Sequence, residues 1–117
     1  MARLSTHVLD TALGCPAKGV AIELHVVHGD VRHLRARAVT NMDGRTDPPL
    51  LSGERLEPGV YELSFHAGDY FRHAGIALAD PPFLDIVVVR VGISDATGHY
   101  HVPLLLAPYG YSTYRGT

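Results

Sequence analysis

Apolar side chains recur at every second position through much of this chain. That period constrains the fold more than any other feature, because it buries one face of a strand and cannot bury one face of a helix. Val20, Ile22, Leu24 and Val26 alternate with Ala21, Glu23, His25 and Val27. The run Val60-Tyr-Glu-Leu-Ser-Phe-His66 repeats the pattern. Phe83-Leu-Asp-Ile-Val-Val-Val-Arg-Val91 is more continuously apolar and β-branched, as a central strand is. Leu4 to Leu9 and residues 32 to 40 are further strand candidates. Near the end, Tyr100, Val102, Leu104 and Leu106 share one strand face, with His99, His101, Pro103 and Leu105 on the other.

Turn signals separate these runs: Gly14-Cys-Pro16, His28-Gly-Asp30, Asp43-Gly44, Asp47-Pro-Pro49, Glu57-Pro-Gly59, Asp80-Pro-Pro82 and Asp95-Ala-Thr-Gly98. Seven or eight short strands at this spacing indicate an all-β sandwich or barrel. Residues 1–117 form one domain, with no repeat, linker or low-complexity tract. The one helical segment is Asp69-Tyr-Phe-Arg-His-Ala74, with Asp69 as its N-cap and Gly75 as its stop. Pro103 cannot donate to a ladder, so it predicts an edge position, a bulge or the start of pairing, with His101 open to a cleft or a partner.

Composition excludes several function classes. Ten basic and twelve acidic residues give a net charge of −2 with no basic block, so nucleic acid is not an expected partner. No apolar run approaches the roughly eighteen residues of a membrane span. The start, Met-Ala-Arg-Leu-Ser-Thr-His, is unlike a signal peptide, and a cytoplasmic location is the expectation. The single cysteine, Cys15, lies in a loop-like stretch and reads as structural. Nothing resembles a phosphate-binding glycine loop or a hydrolase nucleophile elbow.

Chemistry concentrates where chain ends are usually bare. The last nineteen residues hold two histidines, four tyrosines and an arginine, and finish on Tyr114-Arg115-Gly116-Thr117. Eight histidines is a high count for 117 residues. His7 sits mid-strand on the face of Ser5 and Leu9, Arg45 follows the Asp43-Gly44 turn, and His101 shares its face with His99. Each alone reads as a solvated side chain. Together they allow two chemistries. His99 and His101 could ligate zinc, with His7 as a distant third, but no carboxylate or thiolate stands at a ligand spacing. The other is metal-free acid/base work, in which an imidazole moves a proton and an arginine holds developing negative charge.

Three stretches carry a family resemblance across essentially the whole chain. Leu4-Ser-Thr-His-Val-Leu-Asp10, then Thr40-Asn-Met-Asp-Gly-Arg-Thr46, then the run from His101 to Thr117 resemble the transthyretin-like 5-hydroxyisourate hydrolases. Gly59-Val-Tyr-Glu-Leu63 and Asp69-Tyr-Phe71 fit the same pattern. That family ends in Tyr-Arg-Gly-Ser; here Thr117 keeps the hydroxyl and adds a methyl group. The resemblance implies a transthyretin-like sandwich of two four-stranded sheets with one short helix. It implies a homotetramer, a dimer of dimers with active sites in a central channel.

It further implies His7, Arg45 and His101 as catalytic residues and Tyr114, Arg115, Gly116 and Thr117 as substrate-binding residues, with no metal and no cofactor. The implied reaction opens 5-hydroxyisourate at its acyl C–N bond to 2-oxo-4-hydroxy-4-carboxy-5-ureidoimidazoline, on the route from urate to allantoin. A non-catalytic carrier on the transthyretin scaffold, or an adaptor with no small-molecule site, is the alternative. The His, Arg, His and Tyr-Arg-Gly set separates the enzyme from the carrier.

Overall fold

The computed structural model describes residues 2–117. The strands are β1 (Arg3–Asp10), β2 (Cys15–Pro16), β3 (Ala21–His28), β4 (Val31–Val39), β5 (Leu51–Ser52), β6 (Gly59–His66), β7 (Ile86–Ile93), β8 (His99–Ala107) and β9 (Gly110–Thr113). A 3-10 turn at Gly53–Arg55 and one helix, α1 (Ala67–His73), complete the elements. One sheet runs β4-β3-β6-β7. The other runs β2-β1-β8-β9, with the two-residue β5 also on β1. The sandwich expected from sequence is present, with short pieces added to one sheet.

The period of two explains which faces meet. Leu4 and Val8 of β1 and Tyr100, Val102, Leu104 and Leu106 of β8 are buried against Ile22, Leu24, Leu63, Phe65 and Val87 of the opposite sheet. Phe65 is fully buried, and truncating it to alanine should cost about 3–5 kcal/mol. The alternate residues of β1 and β8, among them Ser5, His7, His99 and His101, are left on the outer face.

Two expectations change and a third narrows. The strand read from Phe83 begins at Ile86 and runs to Ile93, so the Asp80-Pro-Pro82 turn reaches further into the run than periodicity shows. The helix starts two residues before Asp69, with His66 at its N-cap and no side-chain cap. Asp69 lies in the first turn and pairs instead with Arg72 at 3.1 Å. Pro103 is buried in an interior strand, not on an edge, because β8 lies between β1 and β9. Of the three readings of Pro103, the start of pairing fits. The β8–β9 ladder runs from Leu104 opposite Thr113 to Ala107 opposite Gly110, beginning beside the proline.

β1 and β8 pair in parallel, with Ser5 opposite His101 and His7 opposite Pro103. The other edge of β1 has no full strand. Ser52 pairs with Arg3, Arg45 bridges to His7, and Pro16 pairs with Leu9. Three short pieces thus cover an edge that would otherwise template association. The far end of β1 is fixed by Asp10. Its buried carboxylate accepts the Ala12 and Leu13 amides at 2.9 Å and the Tyr70 hydroxyl at 2.7 Å, tying α1 to the strand. Burial, and then the Asp10 carboxylate, push the Tyr70 hydroxyl well above its usual range, so it stays a donor.

Candidate active site

The outer face of β1 and β8 brings together residues that are far apart in sequence. In one row across the sheet Gly116, His101 and Ser5 are neighbours; in the next, Pro103, His7 and Arg45. His7 and His101 are therefore diagonal neighbours, a spacing that long side chains reach across.

The loop before Arg45 is built to present it. Asn41 Oδ1 accepts the amides of Asp43 at 2.9 Å and Arg45 at 3.2 Å, and the Asn41 amide donates to the Arg45 carbonyl at 2.7 Å. Gly44 has φ of 77°, which a side chain would resist, and its carbonyl accepts the Val8 amide at 2.8 Å. A Cβ there would collide with the Val8 carbonyl and lie 3.3 Å from the His7 ring. Gly44 is therefore required both by backbone angle and by the close docking that lays Arg45 beside His7.

His101 is held from two sides. Its Nδ1 is 2.9 Å from Ser5 Oγ, and its carbonyl accepts the Gly116 amide at 2.8 Å. A Cβ on Gly116 would come 2.6 Å from His101 Cδ2. Nδ1 is thus engaged, which leaves Nε2 as the ring nitrogen for a ligand or a water. Both imidazoles are held below their usual pKa. For His101 the causes are burial first, then the charges of Arg45, His7 and Arg3. For His7 they are burial and then Arg45, opposed by a hydrogen bond to the Asp43 backbone and by the Asp43 carboxylate. At neutral pH both rings are unprotonated and able to accept a proton.

A cavity of about 90 Å³ opens on this face, lined by Arg3, Ser5, Arg45, His99, His101 and Thr117 among others. Beside it lies a second, of about 200 Å³, that shares Arg3, Ser5 and Arg45 and adds Thr46 and Asp47. Tyr114 and Arg115 line a separate cavity of about 260 Å³, between His101 on one sheet and Val89 and Val91 on the other. The structure therefore gathers His7, Arg45, His101, Gly116 and Thr117, and sets Tyr114 and Arg115 on the adjoining side of His101.

The Arg115 guanidinium lies 4.3 Å from the Tyr100 ring centroid and donates to the His99 carbonyl at 3.1 Å. Those contacts fix residues 114–117 against β8. Among the described residues no three His, Cys, Asp or Glu side chains stand close enough to share a metal ion, and no helix is long and apolar enough to cross a membrane.

Two residues of this face carry no role in the sequence reading. Ser5 is visible in the sequence only as a neighbour of His7 on its strand face; the parallel partner whose ring it contacts is ninety-six positions away. Arg3 lies one alternation earlier on the same face, a signal that period two does contain.

Residues 4–116 match the HIUase/Transthyretin family. The 5-hydroxyisourate hydrolase 2 of Rhizobium meliloti (strain 1021) is 63% identical over 115 residues, covering 98% of this chain and 96% of the relative. A crystal structure of (S)-allantoin synthase superposes with a TM-score of 0.93 at 43% identity. That match covers 99% of this chain, which spans 44% of that longer one. Transthyretin from Sparus aurata superposes with a TM-score of 0.86 at 28% identity, over 97% of this chain and 95% of the other.

Proposed function

This chain belongs to the HIUase/Transthyretin family, and we propose that it is a hydrolase that opens the ring of 5-hydroxyisourate in the cytoplasm. The observation that carries the reading is the convergence of His7, Arg45 and His101 on one accessible face. A carrier needs shape and apolar contact. Two neutral imidazoles beside a guanidinium that has, among the described residues, no carboxylate within 4 Å are instead the parts of an acyl-transfer site.

The chemistry follows from these groups. An imidazole takes a proton from water as its oxygen attacks the acyl carbon. The carbonyl oxygen becomes an oxyanion, which the planar guanidinium of Arg45 stabilises with paired N–H donors. Collapse breaks the C–N bond, and the imidazolium returns its proton to the leaving nitrogen. The product carries a carboxylate, as 2-oxo-4-hydroxy-4-carboxy-5-ureidoimidazoline does. His7 and His101 share the proton and orientation work, with Ser5 fixing the His101 ring. Gly116 and Thr117 close one side of the site, and Tyr114 and Arg115 bound it next door. No step calls for a metal or a cofactor.

The cavity beside His101 is far smaller than the roughly 300–1,000 Å³ of ordinary ligand pockets. A second copy laid over the outer face would enlarge and enclose it, which supports a homotetramer, a dimer of dimers, as the working form.

The test is hydrolysis in ¹⁸O-labelled water, using 5-hydroxyisourate made freshly by urate oxidase. Substrate loss should exceed the spontaneous rate, place one ¹⁸O in the product carboxylate, and survive exhaustive chelation. No acceleration would refute the enzyme reading; loss of activity on chelation, restored by zinc, would refute the metal-free one.

A further inference from the structure

We propose that Arg3 and Arg45 together form an anion subsite that holds the carboxylate released by ring opening. The proposal rests on the hydrolase reading of this face. Arg3 is exposed at the start of β1, on the outward face that it shares with Ser5 and His7. Its backbone is fixed on both sides, opposite Ser52 and opposite His99, and its amide donates to the Gly98 carbonyl at 3.2 Å. Only its long side chain is free to reach a ligand.

Arg3, Ser5 and Arg45 are the three residues common to the two adjoining cavities, so both arginines border the same space. Charge pairing leaves both guanidiniums available. Arg32, Arg37, Arg72 and Arg90 each have a carboxylate within 4 Å. Among the described residues, neither Arg3 nor Arg45 has one. Arg35, Arg55 and Arg115 also lack a carboxylate among the described residues, but none of these three lines both cavities, and Arg55 and Arg115 donate to the Arg35 and His99 carbonyls. Asp47 in the neighbouring cavity is engaged by Asn41 Nδ2 at 3.0 Å. The charge of Arg3 also reaches the reacting groups, since it is one of those that hold His101 unprotonated.

Hydrolysis creates the ligand for this subsite. Water adds to the acyl carbon, the C–N bond breaks, and the nitrogen takes one proton. The acid then ionises, so the product gains one negative charge. Two planar guanidiniums can each donate paired hydrogen bonds to a carboxylate, which an ammonium cannot.

The test is calorimetric titration with N-carbamoylglycine, a stable ureido-carboxylate, into the wild-type chain, Arg3→Gln and Arg3→Lys. Circular dichroism confirms that each variant is folded. Arg3→Gln should bind about tenfold more weakly, the loss of one charged hydrogen bond. Arg3→Lys should fall between, because it keeps the charge and loses the fork. Wild-type affinity should drop with added salt more steeply than that of Arg3→Gln. Equal affinity of wild type and Arg3→Gln, or no binding by wild type, overturns the subsite. A chain that binds the probe through Arg3 yet leaves 5-hydroxyisourate untouched would refute the hydrolase reading and not the subsite.

Discussion

Gly116 lies against the His101 imidazole, its amide bonded to the His101 carbonyl at 2.8 Å and its Cα so close that a Cβ would stand 2.6 Å from the ring. Gly116→Ala must therefore push the ring or the backbone aside. A shift of about 1 Å in a reacting group can cost a hundredfold in rate. The variant should fold normally, with turnover of 5-hydroxyisourate reduced about that much. A folded Gly116→Ala protein with wild-type turnover would show that this packing does not position His101.

Ser5→Ala removes the hydroxyl that engages His101 Nδ1 at 2.9 Å. One hydrogen bond that fixes a ring is worth roughly five- to tenfold. The loss should appear in kcat more than in KM, and Ser5→Thr should restore part of it. A Ser5→Ala change confined to KM would make Ser5 a substrate contact instead.

Much of this arrangement was legible in the sequence, and the limits are physical. Alternation alone places Ser5 and His7 on one face of β1, and His99 and His101 on one face of β8. It does not say that β1 and β8 pair in parallel, because that contact joins residues nearly the whole chain apart. The Asn41 to Gly44 turn signals a reversal before Arg45, but the docking of that turn on Val8 is tertiary. Pro103 leaves an edge, a bulge and the start of pairing open, because a missing donor shows only that one hydrogen bond is absent. It does not show that a strand such as β9 begins just beyond. Asp69 looked like a cap because it suits that position chemically; the chain entered the helix two residues earlier, and Asp69 found Arg72.

The rate should fall as pH is lowered. Protonation removes the lone pair that His7 or His101 needs, and both are held below the ordinary imidazole value of about 6.5. The acid limb of kcat/KM should therefore lie below that pH, with a flat rate at neutrality. Arg45 depresses both imidazoles, so Arg45→Gln should move the limb upward in the residual activity. A limb above pH 7 in the wild-type protein would contradict the neutral-imidazole assignment.

Light scattering should give a mass four times that of the 12.7 kDa chain at micromolar concentration. The reason is the shallow cavity beside His101 and the exposed, tyrosine-bearing β9. A monomer with full activity would mean that one chain completes the site alone.

The most direct measurement is the rate at which fresh 5-hydroxyisourate loses its absorbance with the wild-type protein, His7→Ala, Arg45→Ala and His101→Ala, with His99→Ala as control. The wild-type chain should outpace spontaneous decay. Removal of either imidazole should cost about a hundred- to ten-thousandfold. Removal of Arg45 should cost roughly a hundred- to a thousandfold, and His99→Ala, at an exposed position, should cost little. Wild-type rates in folded Arg45→Ala and His101→Ala proteins would contradict the account outright.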